Sequence, residues 1–337
     1  MRGAILLSDP ALPGLAEALD PEAMTPRLAR FIPLLRGEES TVPEPWRVVE
    51  VEILKHTPGR RCALGYTLDG PGLKRRLFGK VFSGERGPEI LETMGRIAAA
   101  IPRQVLLIPR PVGHLPDLRL LVTEYLDGTP LAPSLYQGTT EAPARRIATA
   151  LATLHGCEAR LLRRWSAQQE WANTGERFAR SPLTAGPCSG RVEGLLRRLS
   201  PGAARLPEVP EIPVHRDFYA EQVRDCGGQS ALLDLDDARL GDPALDIGNF
   251  LAHLKLRSLQ FAELVRGCER GRPVFLEEYE QRRAGAADME TFRQRVAFYE
   301  ATSLLRLAGV YSRRDRWADR LPEMLLNSCE AMLDADG

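Results

Sequence analysis

The chain has 337 residues, of which 44% are apolar and 27% charged, with 45 basic and 45 acidic side chains. This composition is typical of a globular protein long enough for two domains, and the zero formal charge gives no reason to expect nucleic acid or an anionic membrane as partner. No apolar run approaches the roughly twenty residues of a membrane span, and the run at 3–7 ends at Asp9-Pro10. We therefore predict a cytoplasmic protein. The six cysteines are scattered without a Cys-x-x-Cys pair, so neither a zinc site nor a disulfide framework is indicated.

The first half of the chain predicts helices followed by an antiparallel sheet. Residues 1–45 carry helical periodicity and predict a helical N-terminal extension. Apolar residues then alternate on both sides of a Pro58-Gly59 turn, which predicts a β-hairpin. Further strands are expected at 76–82, 105–108 and 118–124, with an amphipathic helix from about Pro88. We expect residues 46–127 to form one lobe.

The second half of the chain is predominantly helical in pattern. A helix is predicted from about Thr140 to His155, with Gly156 as its C-cap. Further helices are expected around residues 247–254, 261–269, 275–281, 289–311 and 321–333, with a break at Gly271-Arg272-Pro273. The predicted class is α+β, with a mainly helical lobe over residues 128–337.

Acids and one amide cluster on two short segments between these helices. The first segment reads His215-Arg216-Asp217-Phe218-Tyr219-Ala220-Glu221-Gln222, and the second reads Leu233-Asp234-Leu235-Asp236-Asp237. A Cys226-Gly227-Gly228 turn between them predicts a hairpin that brings both segments to one place. Because Mg²⁺ prefers oxygen ligands, Gln222 and Asp234 suit a magnesium site completed by a nucleotide. Asp217 suits a base that accepts the proton of an attacking alcohol.

The combined pattern resembles a known family of enzymes. His215-x-Asp217-x-x-x-x-Gln222, then Asp234-x-Asp236, then Gly241-Asp242-Pro243-Ala244-Leu245-Asp246 looks like the aminoglycoside phosphotransferase and choline kinase family. The family usually has Asn where this chain has Gln222, and a Gln there resembles the maltokinase branch, whose substrates are sugars. The resemblance implies a bilobal protein-kinase-like fold, and ATP and Mg²⁺ as cofactors. It also implies a small-molecule hydroxyl acceptor.

The resemblance also assigns roles to residues of the first lobe. Lys80 is expected to contact the nucleotide phosphates, held by Glu89 or Glu92 of the next helix. The segment 124–131 resembles the family's hinge, where backbone groups of Glu124, Tyr125 and Leu126 are expected to meet adenine. In the second lobe, Asp236 is a further candidate metal ligand, on the assumption that an extended segment places it on the same face as Asp234.

Several residues of the pattern have alternative interpretations. The loop at 55–61 has a single glycine, so Arg60 and Arg61 are either phosphate-loop residues or solvated turn charges. His215 is expected to be a structural hydrogen-bonding residue, Arg216 to brace the loop, and at least one of Asp242 and Asp246 to cap a helix.

Other functions stay open on the sequence alone. A non-catalytic nucleotide-binding scaffold, a protein kinase and a metal-dependent hydrolase using His215 with Asp217, Asp234 and Asp236 are alternatives to a small-molecule kinase. The acceptor is expected to be a sugar, an aminoglycoside or an amino alcohol. Helical residues after 247 are expected to bind it, although acids such as Glu277, Glu278 and Glu300 are typical of solvated helix faces.

Overall fold

A computed structural model describes residues 8–36, 46–206, 209–283 and 289–335. The apolar run at 3–7 lies outside these ranges. The described chain divides into two compact units: one contains the residues up to Ala99 together with Ile108–Asp127, the other contains Ala100–Leu107 and the residues from Gly128 onward. Residues 8–36 thus belong to the first unit rather than forming a separate extension, and residues 100–107 belong to the second. None of the helices in the described ranges has the length and hydrophobicity needed to cross a membrane.

The first unit is built on a five-stranded antiparallel sheet. Its strands are β1 (Arg47–Thr57), β2 (Arg61–Gly70), β3 (Leu73–Phe82), β4 (Pro111–Leu115) and β5 (Leu120–Glu124), in the spatial order β1-β2-β3-β5-β4. The predicted hairpin around Pro58-Gly59 is confirmed as β1 and β2. The predicted strand at 105–108 is wrong. Leu107 forms only an isolated bridge to Ala231 within the second unit, and the strand begins later, at Pro111.

Helices cover the sheet of the first unit. The N-terminal helices α1 (Leu15–Ala18), α2 (Pro21–Ala29) and α3 (Ile32–Arg36) bury Leu15, Met24 and Leu28 in one core with strand residues such as Leu64. After β3, α4 (Gly87–Ala100) buries Ile90, Met94 and Ile97, the i, i+4, i+7 pattern of one helix face.

The second unit is mainly helical and carries two small sheets. Its helices are α5 (Ala132–Gln137), α6 (Ala142–His155), α7 (Ala167–Ala179), α8 (Ser189–Arg205), α9 (Ala244–Gln260), α10 (Val265–Arg282), α11 (Met289–Tyr311) and α12 (Leu321–Ala335). One sheet orders its strands β10 (Gln229–Leu232), β9 (Val223–Cys226) and β6 (Thr129–Pro130), and the other orders β7 (Arg164–Trp165), β11 (Arg239–Gly241) and β8 (Ile212–Val214).

The predicted helix break at residues 271–273 is wrong, because α10 runs through Pro273. The glycines of this stretch serve close packing instead. A Cβ on Gly271 would lie 2.7 Å from the Leu135 side chain, and one on Gly267 would lie inside contact distance of the Tyr136 carbonyl. Packing of α10 against α5 therefore requires glycine at Gly267, where the neighbour is backbone, and this tertiary contact outweighs the poor helix propensity.

Candidate active site

The two predicted motif segments meet at one end of the β9-β10 hairpin. The hairpin turns at Gly227 and Gly228, both with positive φ, as the sequence predicts. Leu233 then donates its backbone N–H to the Gln222 carbonyl at 2.9 Å. This bond places Asp234, the next residue, beside the end of the first segment, so the sequence-distant metal candidates are brought together.

His215 also connects these two segments by hydrogen bonds. Its side chain is fully buried, and Nε2 lies 2.8 Å from the Leu233 carbonyl, so this nitrogen carries the proton and donates it. Nδ1 is then an acceptor and lies 3.4 Å from the backbone N of Asp217. Because both ring nitrogens are engaged in this way, His215 holds the loop rather than acting as the base, in agreement with the sequence prediction.

Asp246 fixes the backbone of the loop. Its carboxylate is fully buried and accepts the backbone N–H groups of His215 and Arg216, each at 2.6 Å. Arg216 has φ +70°, a left-handed conformation that is unfavourable for a long side chain, and the two bonds hold it there. Asp246 is therefore a loop brace. Asp242 lies one residue before Pro243, the N-cap of α9, and its carboxylate accepts the Ala244 N–H at 3.0 Å, so it meets the predicted capping role only in part.

A buried histidine completes the Asp246 network. His155, at the end of α6, places Nε2 at 3.0 Å from Asp246 and Nδ1 at 2.7 Å from the Tyr279 hydroxyl. Burial lowers the pKa of His155 even though Asp246 acts to raise it. The ring is thus neutral, with Nε2–H donating to Asp246 and Nδ1 accepting from Tyr279. The predicted glycine C-cap follows at Gly156, but with φ −90° it has no left-handed conformation.

Arg216 uses its side chain locally. The guanidinium stacks on the Trp165 ring, with its central carbon 3.5 Å from the ring centroid, and reaches the Asp237 carbonyl at 3.4 Å. Arg216 therefore braces the loop as predicted, and its partners are an aromatic ring and a backbone carbonyl rather than a carboxylate.

Asp217 lies half-buried beside the metal segment. Burial raises the pKa of its carboxyl, and the charges of Asp234 and Asp237 act in the same direction, while the charge of Arg306 opposes them. A carboxylate with a raised pKa is a stronger base than a solvated one.

The metal candidates differ in their surroundings. The side chain of Gln222 is 5% exposed, and its amide nitrogen has no hydrogen-bond partner in the described chain. Asp234 adopts φ +58°, and Leu235–Asp237 forms a 3-10 turn, so the segment is not extended. The assumption that Asp234 and Asp236 share a strand face is therefore wrong. Asp236 is 4% exposed, and the described residues contain no group of three or more His, Cys, Asp or Glu side chains arranged to hold a metal.

In the first unit, Lys80 is buried on β3. Its side chain is 6% exposed, and its ammonium lies 5.7 and 6.0 Å from the ring centroids of Phe78 and Phe82. Of the two acids considered as its partner, Glu92 is 48% exposed and is engaged at 2.8 Å by Arg96, one turn along α4. Glu89 is half-buried on the first turn of the same helix, which favours Glu89.

The predicted hinge residues follow the end of β5. Glu124 exchanges backbone and side-chain hydrogen bonds with Arg110, and Tyr125 lies under the Arg76 guanidinium at 3.8 Å. Leu126 lies outside the sheet, and no hydrogen bond to its backbone is found among the described residues. Its N–H and carbonyl suit the predicted role toward adenine, which stays a prediction.

The loop between β1 and β2 is held by a residue that sequence reasoning missed. The Asp9 carboxylate accepts the Gly59 N–H at 2.9 Å and lies 2.9 Å from His56 Nε2. These hydrogen bonds, the one from Gly59 first, lower the pKa of Asp9. His56 pairs in register with Cys62, which is part of the core under the N-terminal helices. Asp9 therefore braces the single-glycine loop from the helix-covered face of the sheet.

The sequence profile described as the phosphotransferase enzyme family matches residues 66–299. Comparison with curated proteins gives no match.

Similar solved structures include a choline/ethanolamine kinase family protein from Mesorhizobium loti, at 18% identity and TM-score 0.56, covering 91% of this chain and 93% of that one. A thermostable mutant of aminoglycoside phosphotransferase APH(4)-Ia, in complex with AMP-PNP and hygromycin B, is 18% identical at TM-score 0.58, with 86% and 95% covered. Choline kinase LicA from Streptococcus pneumoniae is 15% identical at TM-score 0.56, with 86% and 94% covered. At these identities the likeness shows the fold.

The predicted protein-kinase-like fold is confirmed by these neighbours, while the maltokinase-like interpretation of Gln222 stays a prediction. The profile match covers more than half of the chain and includes Lys80, the motif segments and Asp246. The chain belongs to the phosphotransferase enzyme family.

Proposed function

We propose that the protein transfers the γ-phosphoryl group of ATP, with Mg²⁺, to a hydroxyl group of a small molecule. The observation that supports this proposal most is that Asp217, Gln222 and Asp234 lie on segments that come together at one end of the β9-β10 hairpin. Leu233 joins these segments by its hydrogen bonds with Gln222 and His215. A base and two oxygen ligands in this order are the parts that kinase-type phosphoryl transfer requires.

The residues present fit a magnesium ion. The Gln222 amide is buried without a partner for its nitrogen, and the amide oxygen and nitrogen exchange places on rotation about one bond. Such an orphaned amide can turn its oxygen toward a cation, and Asp234, which supplies a carboxylate, directly follows Leu233, whose N–H bonds to the Gln222 carbonyl. When bound, Mg²⁺ would neutralise developing charge on the phosphates.

The chain's own groups act on the two substrates. Asp217 accepts the proton of the acceptor hydroxyl as its oxygen bonds to the γ-phosphorus, and the bond between that phosphorus and the bridging oxygen breaks to release ADP. We propose that Lys80 holds the phosphates, Glu89 orients Lys80, and the backbone of Glu124 and Leu126 contacts adenine. Solved relatives bind AMP-PNP or GDP, and this supports a nucleotide as the phosphoryl donor.

The test replaces the proposed base. Asp217→Asn is expected to retain ATP binding and to lower turnover about 10²- to 10⁴-fold, the range for a positioned general base. Asp315→Asn, at an exposed acid after α11, is the matched control and is expected to keep wild-type turnover. Turnover is measured as acceptor-dependent ADP release over sugars, amino alcohols and aminoglycosides. Wild-type turnover in Asp217→Asn would remove the residue from this role, and ATP binding without turnover on every acceptor would favour a non-catalytic scaffold.

A further inference from the structure

Two hydrogen bonds connect Arg306 of α11 to the loop that carries Asp217, the proposed base. Its guanidinium donates to the Asn249 side-chain oxygen at 2.5 Å, and the Asn249 amide donates to the Phe218 carbonyl at 3.0 Å. Phe218 directly follows Asp217. The guanidinium is thus held at a fixed place beside the proposed base, by a residue that is itself 1% exposed.

The charge of Arg306 acts on Asp217 without a direct ion pair. Within the described ranges Arg306 makes no ion pair, and its Nε is shielded from solvent without a hydrogen-bond acceptor. By contrast, Arg257, another half-buried arginine of this unit, is paired with Glu221 at 2.5 Å. A fixed guanidinium with an unused donor is a binding group for an anion.

A second unsatisfied group lies on α9, one helical turn after Asn249. His253 stacks on Tyr219 of the loop, with ring centroids 4.7 Å apart, and its Nε2 is shielded from solvent without a partner among the described residues. Burial lowers the pKa of His253, and the charges of Arg306, Arg257 and Arg314 lower it further. The ring is therefore neutral in surroundings that are already cationic.

Acids that could instead recognise a cation are already neutralised. Glu278 is bound by Arg282 at 2.7 Å and by Arg145 at 3.3 Å. Glu300 forms a two-point ion pair with Arg272 at 2.6 and 2.7 Å. The expectation that these acids lie on solvated faces is wrong for Glu300, which is 3% exposed.

The acids of the loop and of the cap are engaged as well. Glu221 holds Arg257, Asp242 holds Arg295 at 3.0 Å, and Asp246 accepts backbone N–H groups. Apart from Asp234 and Asp237 of the proposed metal segment, the charged side chain that acts most on Asp217 is the cation Arg306.

We propose that the acceptor is a hydroxy compound bearing an anionic group, a carboxylate or a phosphate, and that Arg306 is the specificity-determining residue that binds this group. The inference rests on the proposed function and narrows its acceptor class. A polycationic acceptor such as an aminoglycoside, or a quaternary amino alcohol, is disfavoured because the positive charge of Arg306 repels it.

The test uses pyranoses that differ mainly in charge. Glucuronate carries a carboxylate, glucose 6-phosphate a phosphate, glucose no charge and glucosamine an ammonium group. Each is titrated calorimetrically into the protein saturated with AMP-PNP and Mg²⁺. We expect at least one anionic sugar to bind about tenfold or more tightly than glucosamine, and the carboxylate and phosphate arms identify which anion is preferred.

Substitutions assign the preference to one residue. Arg306→Gln is expected to weaken the anionic sugar about 10- to 100-fold, as for loss of a hydrogen bond to a charged group, and to change glucose less than about twofold. Arg306→Lys restores part of the affinity. Arg313→Gln removes an equal charge from an exposed position seven residues on and is expected to leave all affinities unchanged.

The proposal is overturned if glucosamine binds most tightly, if neither anionic sugar binds, or if Arg306→Gln weakens glucose and the anionic sugar equally. Ranking the four sugars on the wild-type protein needs no variant, so a folding defect of Arg306→Gln leaves the test decisive. Binding of AMP-PNP with Mg²⁺ is recorded in the same experiment. If it persists while the charge preference fails, the acceptor inference falls and the proposed kinase function stands.

Discussion

Replacing Asp246 by Ala removes the acceptor that fixes the backbone of the loop at His215 and Arg216. The carboxylate accepts two backbone N–H groups at 2.6 Å and the His155 imidazole at 3.0 Å, all in a fully buried place. Each buried donor left without a partner costs about 1–3 kcal/mol, and partial relaxation makes the losses less than additive. We expect the free energy of unfolding to fall by about 3–5 kcal/mol, as in other broken buried networks.

The assay is equilibrium unfolding in denaturant, with the change in midpoint converted through the slope. Asp334→Asn is the control, because Asp334 is 68% exposed and pairs with Arg198 at 2.7 Å on the surface. Such pairs contribute about 0–1 kcal/mol. A loss below about 1 kcal/mol for Asp246→Ala, equal to that of the control, would refute the view that this carboxylate holds the loop.

Four further predictions concern the site. Asp217→Asn is expected to raise the melting temperature above pH 4 in magnesium-free buffer. Burial raises the pKa of Asp217 above its ordinary value of 3.8, so ionisation of this carboxyl costs stability; a lower melting temperature contradicts this. Lys80→Met is expected to lower kcat about 100-fold, the usual effect of losing one preorganised charge donor, and unchanged kinetics count against its phosphate role. Asp9→Ala is expected to raise KM for ATP by loosening the Gly59 loop, with thermal unfolding as the check on folding. Burial lowers the pKa of His155 below 6.5, so as the pH falls the unfolded chain takes up the proton before the folded chain does. The stability that is present above pH 6.5 is therefore expected to be lost as the pH falls. Denaturant unfolding between pH 7 and pH 5 measures this loss, and a free energy of unfolding that does not change with pH contradicts it.

Local patterns predicted much of the fold, because they report on neighbouring residues. Alternation located the β1-β2 hairpin, and apolar periodicity predicted a helix over 289–311, the bounds of α11. The Gly227-Gly228 turn predicted the hairpin that joins the motif segments. In these cases the residues that set the structure lie within a few positions of each other in the chain.

The predictions were wrong or incomplete where contacts between residues far apart in the chain decide the structure. Continuity of α10 at Pro273 depends on packing against α5, which no local pattern reports. The bend at Asp234 depends on the turn after the hairpin, and the roles of Asp9 and Arg306 depend on partners about 50 or more residues away. An acid or arginine that acts through one long-range contact has no signature in the surrounding sequence.

The most direct test of the central claim is calorimetric titration of ATP into the purified protein, with and without Mg²⁺. We predict binding that is tighter with Mg²⁺, and a loss of this magnesium dependence in Asp234→Ala. Binding that is indifferent to Mg²⁺ in the wild-type protein, or an unchanged magnesium dependence in Asp234→Ala, would contradict the assignment of the metal site.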